Sequence, residues 1–197
     1  MIIVESKRKK PATILRQYPD AVLADVTSGA KDDLVKLSPF YPHGGIPVPF
    51  SEGYTATCVE SIWQGLKVFE AADVDTSLFL NDTMKGLKRT VRRYGKPLGH
   101  RKGVNGTDLL GYIEARKQIY IPTYRWVLEN KVQSIIERMR EASKEIYVGI
   151  VKVLGSQFYG MTQKEISTAI ALAPNTRHPA YSLHQPELLL EREKSRR

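Results

Sequence analysis

The spacing of apolar residues predicts short strands alternating with helices along this chain. β-Branched and apolar runs predict strands at residues 1–5, 21–26 and 146–154, and Pro11 is placed to begin a helix that ends near Tyr18. Helical periodicity then predicts helices over residues 84–94, 108–120 and 121–143. Asn81, Asp82 and Thr83 can cap the first of these with their side-chain oxygens.

Two further helices are predicted near the end of the chain. Thr162 and Glu165 form a capping-box pattern that begins a helix to about residue 173, and residues 187–197 are a charged helical tail. The whole pattern predicts an α+β fold, a mainly helical single domain with a small β-sheet. Its core spans about residues 1–154, and residues 155–197 form a C-terminal helical extension.

A central helix predicted from about residue 59 to 69 has two different faces. One side is apolar and holds Val59, Ile62, Leu66 and Phe69. The other carries Glu60, Gln64 and Lys67, with Trp63 beside them. An amphipathic helix ordinarily turns such a polar face to water. The alternative is that the face is presented to a ligand.

The loop ahead of this helix favours a ligand. It is stiffened by proline and glycine and carries aromatic residues, namely Phe40, Tyr41, Phe50 and Tyr54. Aromatic side chains on a loop held by rigid elements can line a pocket. We therefore expect Phe40, Tyr41 and Tyr54 to contact a substrate.

The segments LSPFYP, at residues 37–42, and VESIWQGLK, at residues 59–67, together resemble the signature of the NADAR superfamily. Glu60, Gln64 and Lys67 stand at the acid, amide and lysine positions of that family's helix. Pro39 stands where the family often has Asn, and Ser61 where it often has His. These two differences bear on which substrate is bound. The resemblance covers about residues 37–139, is weaker in its second half, and implies a NADAR-like fold.

Members of the NADAR superfamily cleave N-glycosidic bonds, so the resemblance implies a hydrolase of this kind. Glu60 is then the expected catalytic carboxylate, and Lys67 should favour its ionised form. Trp63 or Tyr41 could stack on the leaving base, and Gln64 could hold a base edge or a sugar hydroxyl. Asp82 is a second candidate acid, although helix capping also explains it.

The distribution of charge points to a polyanion. The net charge is +9, and residues 85–102 contain eight Lys or Arg and no acid. Lys85, Lys88, Arg89 and Arg92 should share one face of the predicted helix, and Arg93, Arg101 and Lys102 extend the charge. Like charges at this spacing weaken a helix, which suggests an anion to bind, although a solvated basic face is the alternative. We expect these residues to bind DNA phosphates.

Composition excludes several classes of protein. No apolar run is long enough for a membrane span, and the N-terminal charges follow the short apolar segment, which is the wrong order for a signal peptide. The single cysteine, Cys58, excludes an internal disulfide, and the four histidines lack metal-ligand spacing. We predict a cytoplasmic protein without metal or cofactor.

The leading hypothesis is a DNA glycosylase that removes a bulky or modified base, for example from phage DNA, in antiphage defence. The alternatives are an ADP-ribosyl-guanine glycohydrolase, an N-glycosidase of small nucleotides, and a non-catalytic DNA-binding protein.

Overall fold

The structure, a computed structural model, describes residues 2–142 and 147–151. The helix predicted at residues 162–173 and the tail at residues 187–197 lie outside this range.

A three-stranded parallel sheet joins distant parts of the chain. Strands β1 (Ile2–Ser6) and β2 (Val22–Asp25) are connected by helix α1 (Pro11–Gln17), and both pair with β8 (Tyr147–Val151), which lies between them. Ile2 and Val22 both take Tyr147 as their register partner. Ile14 of α1 is buried with Leu23 and Ile3 packed against it. The predictions of these three strands and of the helix at Pro11 are confirmed.

The central helix α2 (Val59–Gly65) is shorter than the sequence predicts. It begins with a capping box in which the Cys58 sulfur accepts from the Ser61 backbone N–H and the Ser61 hydroxyl oxygen accepts from the Cys58 N–H. It ends at Gly65, where a Cβ atom would come within 2.4 Å of the Phe79 ring. The chain then forms strand β5 (Lys67–Phe69), so the prediction that Lys67 lies on the helix is wrong.

Strand β5 belongs to a three-stranded antiparallel sheet. It pairs with β6 (Pro97–Arg101), which pairs with β7 (Leu109–Leu110). Lys67 and His100 are register partners across β5 and β6. A separate two-stranded sheet pairs β3 (Ile46–Pro47) with β4 (Thr55–Ala56).

The helix predicted over residues 84–94 is wrong for most of its length. Only α3 (Val91–Tyr94) is helical. Met84 and Gly86 have φ angles of 58° and 68°, in the left-handed region that a right-handed helix cannot contain. The Asn81 side chain accepts from the Thr83 backbone N–H and closes a turn there instead of capping a helix.

Helices follow β7 to the end of the first described range. Helix α4 (Tyr112–Ala115) continues through a π-helical turn (Arg116–Tyr120) into α5 (Ile121–Asn130), and α6 (Gln133–Ala142) follows separately. The long helix predicted over residues 121–143 is therefore two helices. Both contribute to a core cluster in which Leu128, Ile136 and Met139 pack with Ala24 and Leu34.

A second core cluster surrounds α2. Ile62 and Trp63 of that helix, and Leu66 directly after it, pack with Ile119 and Val127 of the later helical segment. The α+β class is confirmed, and residues 2–142 and 147–151 form three small sheets where the sequence predicts one. No helix in the described part of the chain has the length and apolar character needed to cross a membrane.

Candidate active site

Glu60 lies in the first turn of α2 and is buried, with 6% of its surface exposed. Its Oε1 accepts a hydrogen bond of 2.8 Å from the Gln64 side-chain Nε2, one helical turn later. Its backbone N–H donates to the Pro39 carbonyl at 2.9 Å, which brings the aromatic loop against the start of the helix. The polar face of α2 is therefore enclosed by protein, and the expectation that it simply faces water is wrong.

Burial raises the pKa of the Glu60 carboxyl, because the ionised form loses its hydration. The hydrogen bond from Gln64 and the positive charges of Lys67, Lys88 and Arg116 oppose this effect without overcoming it. Lys67 therefore favours the ionised form, as predicted, but burial has the larger effect on the pKa of Glu60. A carboxyl with a raised pKa is a common feature of acid–base sites.

Lys67 enters the same cluster from strand β5. It is buried, and its Nζ lies 6.0 Å from the centre of the Trp63 ring and 5.8 Å from that of Phe69. Burial lowers the pKa of its ammonium group, while the charge of Glu60 acts in the opposite sense. Within the described residues, Lys67 makes no ion pair with a carboxylate.

The Trp63 indole is covered by His100. The two rings stack with their centroids 3.7 Å apart and an angle of 30° between their planes. Burial and the charges of Lys67 and Arg116 lower the pKa of His100 to about 3, so the imidazole is neutral. The nearby Trp63 backbone slightly favours the charged form of the His100 imidazole. Within the described residues, however, neither nitrogen of this ring makes a hydrogen bond of acceptable geometry. His100, and not a leaving base, occupies this face of Trp63.

Arg116 completes the cluster from the π-helical turn. Its guanidinium carbon lies 4.6 Å from the centre of the Tyr120 ring and 5.8 Å from that of Trp63, and Nη1 donates to the Tyr112 hydroxyl at 3.4 Å. Burial raises the pKa of Tyr120, so its hydroxyl remains protonated. We call these residues the buried polar cluster: Glu60, Trp63, Gln64, Lys67, His100, Arg116 and Tyr120.

Arg89 supports this cluster structurally, whereas the sequence predicts an exposed phosphate-binding residue. Its side chain is buried, and its guanidinium donates to the carbonyls of Lys67 at 2.5 Å, Asp73 at 2.7 Å and Gln64 at 3.4 Å. Its backbone N–H also donates to the Gln64 side-chain oxygen at 3.2 Å. Arg89 thus satisfies carbonyl groups at and beyond the C-terminal end of α2, where a positive charge is favourable.

The other predicted phosphate-binding residues differ in their surroundings. Lys85, Lys88, Arg92 and Arg93 are exposed, but they do not form one helical face. Arg101 is half-buried and forms an ion pair with Asp73 at 2.7 Å. Lys102 lies over the Phe50 ring with its Nζ 5.3 Å from the ring centre. Some basic side chains of residues 85–102 are thus exposed to solvent, and others make contacts within the protein.

The predicted loop residues and the second acid are spread over the surface around α2. Phe40 and Tyr41 are half-buried, and Tyr41 lies 4.8 Å from His43 between ring centres. Tyr54 is exposed and meets the edge of Phe79. Asp82 is exposed in the turn that replaces the predicted helix, so helix capping no longer explains it.

Sequence reasoning missed three members of the buried polar cluster, namely His100, Arg116 and Tyr120. His100 is one of four scattered histidines, and Arg116 and Tyr120 fall within the helix predicted over residues 108–120. The pairing of β5 with β6 brings His100 to Lys67, and the π-helical turn brings Arg116 to Trp63. Among the members of the cluster, only Glu60, Trp63 and Gln64 could be grouped from the sequence, because their spacing is helical.

The chain belongs to a family of unknown function, DUF6939, whose family model matches residues 6–169. No curated protein matches the chain. The match extends beyond the segment that resembles the NADAR superfamily, and it assigns no activity. The NADAR-like identity stays a prediction.

Proposed function

We propose that this protein is an N-glycosidase that hydrolyses the bond between sugar and base at a modified base in DNA, leaving an abasic site. A cytoplasmic role in defence against phage DNA with modified bases belongs to the same proposal. The observation that carries the proposal is Glu60. It is a buried carboxyl with a raised pKa, held by Gln64 among the cations of the buried polar cluster.

The chemistry requires a group that moves protons. Water adds to C1′ of the sugar, the C1′–N bond breaks, and the departing base takes up a proton as the water loses one. A carboxyl whose pKa is raised by burial can accept the proton from water or donate one to the base. Gln64 holds Oε1 of Glu60 and leaves Oε2 for this task.

The surrounding groups suit the departing base. Negative charge develops on that base as the bond breaks, and Lys67 and Arg116 both lie close enough to Glu60 to act on its pKa. Positive charges in a buried site stabilise such an anion strongly, because little water screens them. The neutral imidazole of His100 could also donate to a base nitrogen or oxygen.

Exposed cations next to the cluster support a DNA substrate. Lys88 is exposed, yet its charge reaches both Glu60 and Lys67. Lys85, Arg92 and Arg93 are exposed on the same segment. A flipped base would place its flanking phosphates outside the pocket, where such residues can bind them.

The test is a comparison of Glu60→Gln with Glu137→Gln, an exposed carboxylate on α6. Each variant is incubated with phage DNA that carries modified bases and with ADP-ribosylated DNA, followed by labelling of abasic sites and mass spectrometry of released bases. Glu60→Gln should bind DNA normally and lose about 10²- to 10⁴-fold in turnover, while Glu137→Gln remains active. No release by the folded wild-type protein from any of these DNAs would refute the proposal.

A second candidate is an N-glycosidase of small nucleotides. It is favoured by the burial of Lys67, Arg116 and Arg89, since a polynucleotide backbone would run along the surface. Such an enzyme should turn over free nucleotides at a rate insensitive to added salt. A DNA substrate instead predicts a steep loss of binding with salt.

A further inference from the structure

The turn of the β3–β4 hairpin exposes a phenylalanine. Phe50 lies between the two strands, and 53% of its surface is exposed. Single exposed apolar residues are common on protein surfaces, so exposure alone assigns no role. The backbone conformation and the neighbours of Phe50 distinguish it from such a residue.

The backbone of Phe50 adopts a conformation that is rare for a bulky residue. Its φ angle is 57°, in the left-handed region that suits glycine and is unfavourable for a phenylalanine. Residues in such conformations persist only where the surrounding structure enforces them, and they are concentrated at functional sites. A glycine would adopt this φ angle without strain, yet the chain carries an aromatic ring here, which indicates a use for the ring.

The loop that follows β6 holds the turn in place. Gly103 approaches so closely that a Cβ atom there would come within 2.1 Å of the Phe50 carbonyl oxygen. The Val104 backbone N–H donates to the Ser51 hydroxyl oxygen at 2.9 Å. Val48, just before the turn, is buried in the core cluster around α2. The ring of Phe50 is therefore presented to solvent on a turn that is fixed from two sides.

The same loop connects the turn to the buried polar cluster. Lys102 lies over the Phe50 ring, and its backbone N–H donates to the Asp108 carbonyl at 3.0 Å, which extends the pairing of β6 by one residue beyond Arg101. Residues two apart in a strand project to the same face of a sheet and are separated by about 7 Å. Lys102 and His100 are two such residues. Phe50 thus lies beside the sheet face that carries His100.

We propose that Phe50 is a wedge that enters the base stack of duplex DNA while the target base turns toward Glu60. A base inside a duplex reaches an enzyme only after extrusion, and an apolar side chain can fill the gap that it leaves. An aromatic ring stacks on any base, so this contact requires no particular sequence. The inference rests on the proposed function in one respect, namely that the partner is DNA.

The position of Phe50 suits this role. An extruded base stays attached to its sugar, so the wedge and the reacting carboxyl must lie on neighbouring parts of the protein. Strand β6 provides this proximity, because it passes from His100 in the cluster to Lys102 at the ring. The charge of Lys102 lies where the phosphate backbone would pass. Since the turn is already fixed, insertion of the ring costs little further conformational entropy.

The test compares the affinity of the full chain for two labelled duplexes by fluorescence anisotropy. One duplex is intact, and the other carries a central tetrahydrofuran analogue of an abasic site. The wild type should bind the abasic duplex about 10- to 100-fold more tightly, as expected for one aromatic ring stacked in the gap. Phe50→Ala should lose this preference, and Phe50→Trp should retain it.

Two further variants control for folding and for the loss of an apolar side chain. Leu15→Ala removes an exposed apolar side chain on α1 and should keep the wild-type preference. Phe50→Gly should unfold at a higher temperature than Phe50→Ala, because glycine adopts the φ angle of 57° without strain. It should nevertheless lack the preference for the abasic duplex. A wild-type preference in Phe50→Gly would therefore contradict the wedge even if Phe50→Ala failed to fold.

The outcomes separate this inference from the proposed function. Glu60→Gln should keep the preference for the abasic duplex even though turnover is lost. Equal preference in the wild type and Phe50→Ala, or no preference in the wild type, would overturn the wedge whether or not the protein cleaves glycosidic bonds. A preference that depends on Phe50, in a protein without glycosidase activity, would overturn only the proposed function.

Discussion

The imidazole of His100 lies flat against the indole of Trp63, with ring centroids 3.7 Å apart. The stack joins strand β6 to helix α2 inside the core and keeps a titratable group away from water. Lys67, the cross-strand partner of His100, and Arg116 add positive charge next to it. The stability of the protein and the chemistry of the candidate site therefore depend on the same residues.

Acid should destabilise the protein through His100. Its pKa is lowered from 6.5 to about 3 in the folded state, so between these pH values the unfolded chain binds a proton that the folded protein does not. Stability must then fall as pH falls through this window, by roughly 4 kcal/mol for this residue. Urea denaturation at pH 7 and pH 4 should show a smaller loss for His100→Gln than for the wild type.

The matched comparison for this prediction is His43→Gln. Burial also lowers the pKa of His43, but that ring is only half-buried and bonds to the Lys36 carbonyl. Its replacement should therefore change the acid sensitivity less. Equal acid sensitivity of the wild type and His100→Gln would contradict the burial of a neutral imidazole.

Arg89→Lys should lower the free energy of unfolding, and it should have a smaller effect on the affinity for DNA. A lysine keeps the charge but cannot donate in the planar fork that reaches the carbonyls of Lys67, Asp73 and Gln64. We expect a loss of about 2–4 kcal/mol in the free energy of unfolding. Arg92→Lys, at an exposed position, should change it by less than about 0.5 kcal/mol in the same denaturation experiment.

Gly65→Ala should disrupt the end of α2. A Cβ atom at this position would lie 2.4 Å from the Phe79 ring and 3.0 Å from the Asp75 carbonyl oxygen. Forcing these groups apart should cost about 1–3 kcal/mol. At Gly111 a Cβ atom meets nothing within 4 Å, so Gly111→Ala should cost less than about 1 kcal/mol. Thermal unfolding of the two variants measures the difference.

The proposed DNA binding should depend on the exposed cations of α3 and of the segment just before it. Each of Lys88→Ala and Arg92→Ala should reduce the slope of log affinity against log salt by about 0.9, the value for one phosphate contact. Fluorescence anisotropy with a labelled duplex at several salt concentrations gives the slope. An unchanged slope in both variants would show that this segment does not touch the DNA backbone.

Parts of the fold could be predicted because their signals are local. The β-branched runs of β1, β2 and β8 and the proline that begins α1 specify these elements within a few residues. Helical spacing similarly placed Glu60 and Gln64 on one side of α2, where the hydrogen bond between their side chains is found. The resemblance to the NADAR superfamily used this same local string.

The prediction of a helix over residues 84–94 is wrong for most of that range. The periodic pattern favours a helix there, but Gly86 within it disfavours one. Five like charges and a glycine inside the pattern already weaken a helix, and in the tertiary structure the Arg89 guanidinium donates to three carbonyl groups instead. Leu87, two residues before Arg89, is also buried.

The sequence by itself determined the class of the fold, the start of α2 and the carboxylate on which the functional hypothesis depends. Only the tertiary structure decided that Lys67 lies on a strand, that His100 and Arg116 join Glu60, and that Arg89 is used within the protein. The physical reason is that burial and cross-strand pairing arise between segments far apart in the chain. These contacts, and not the residue types alone, shift the pKa values of Glu60, Lys67, His100 and Tyr120.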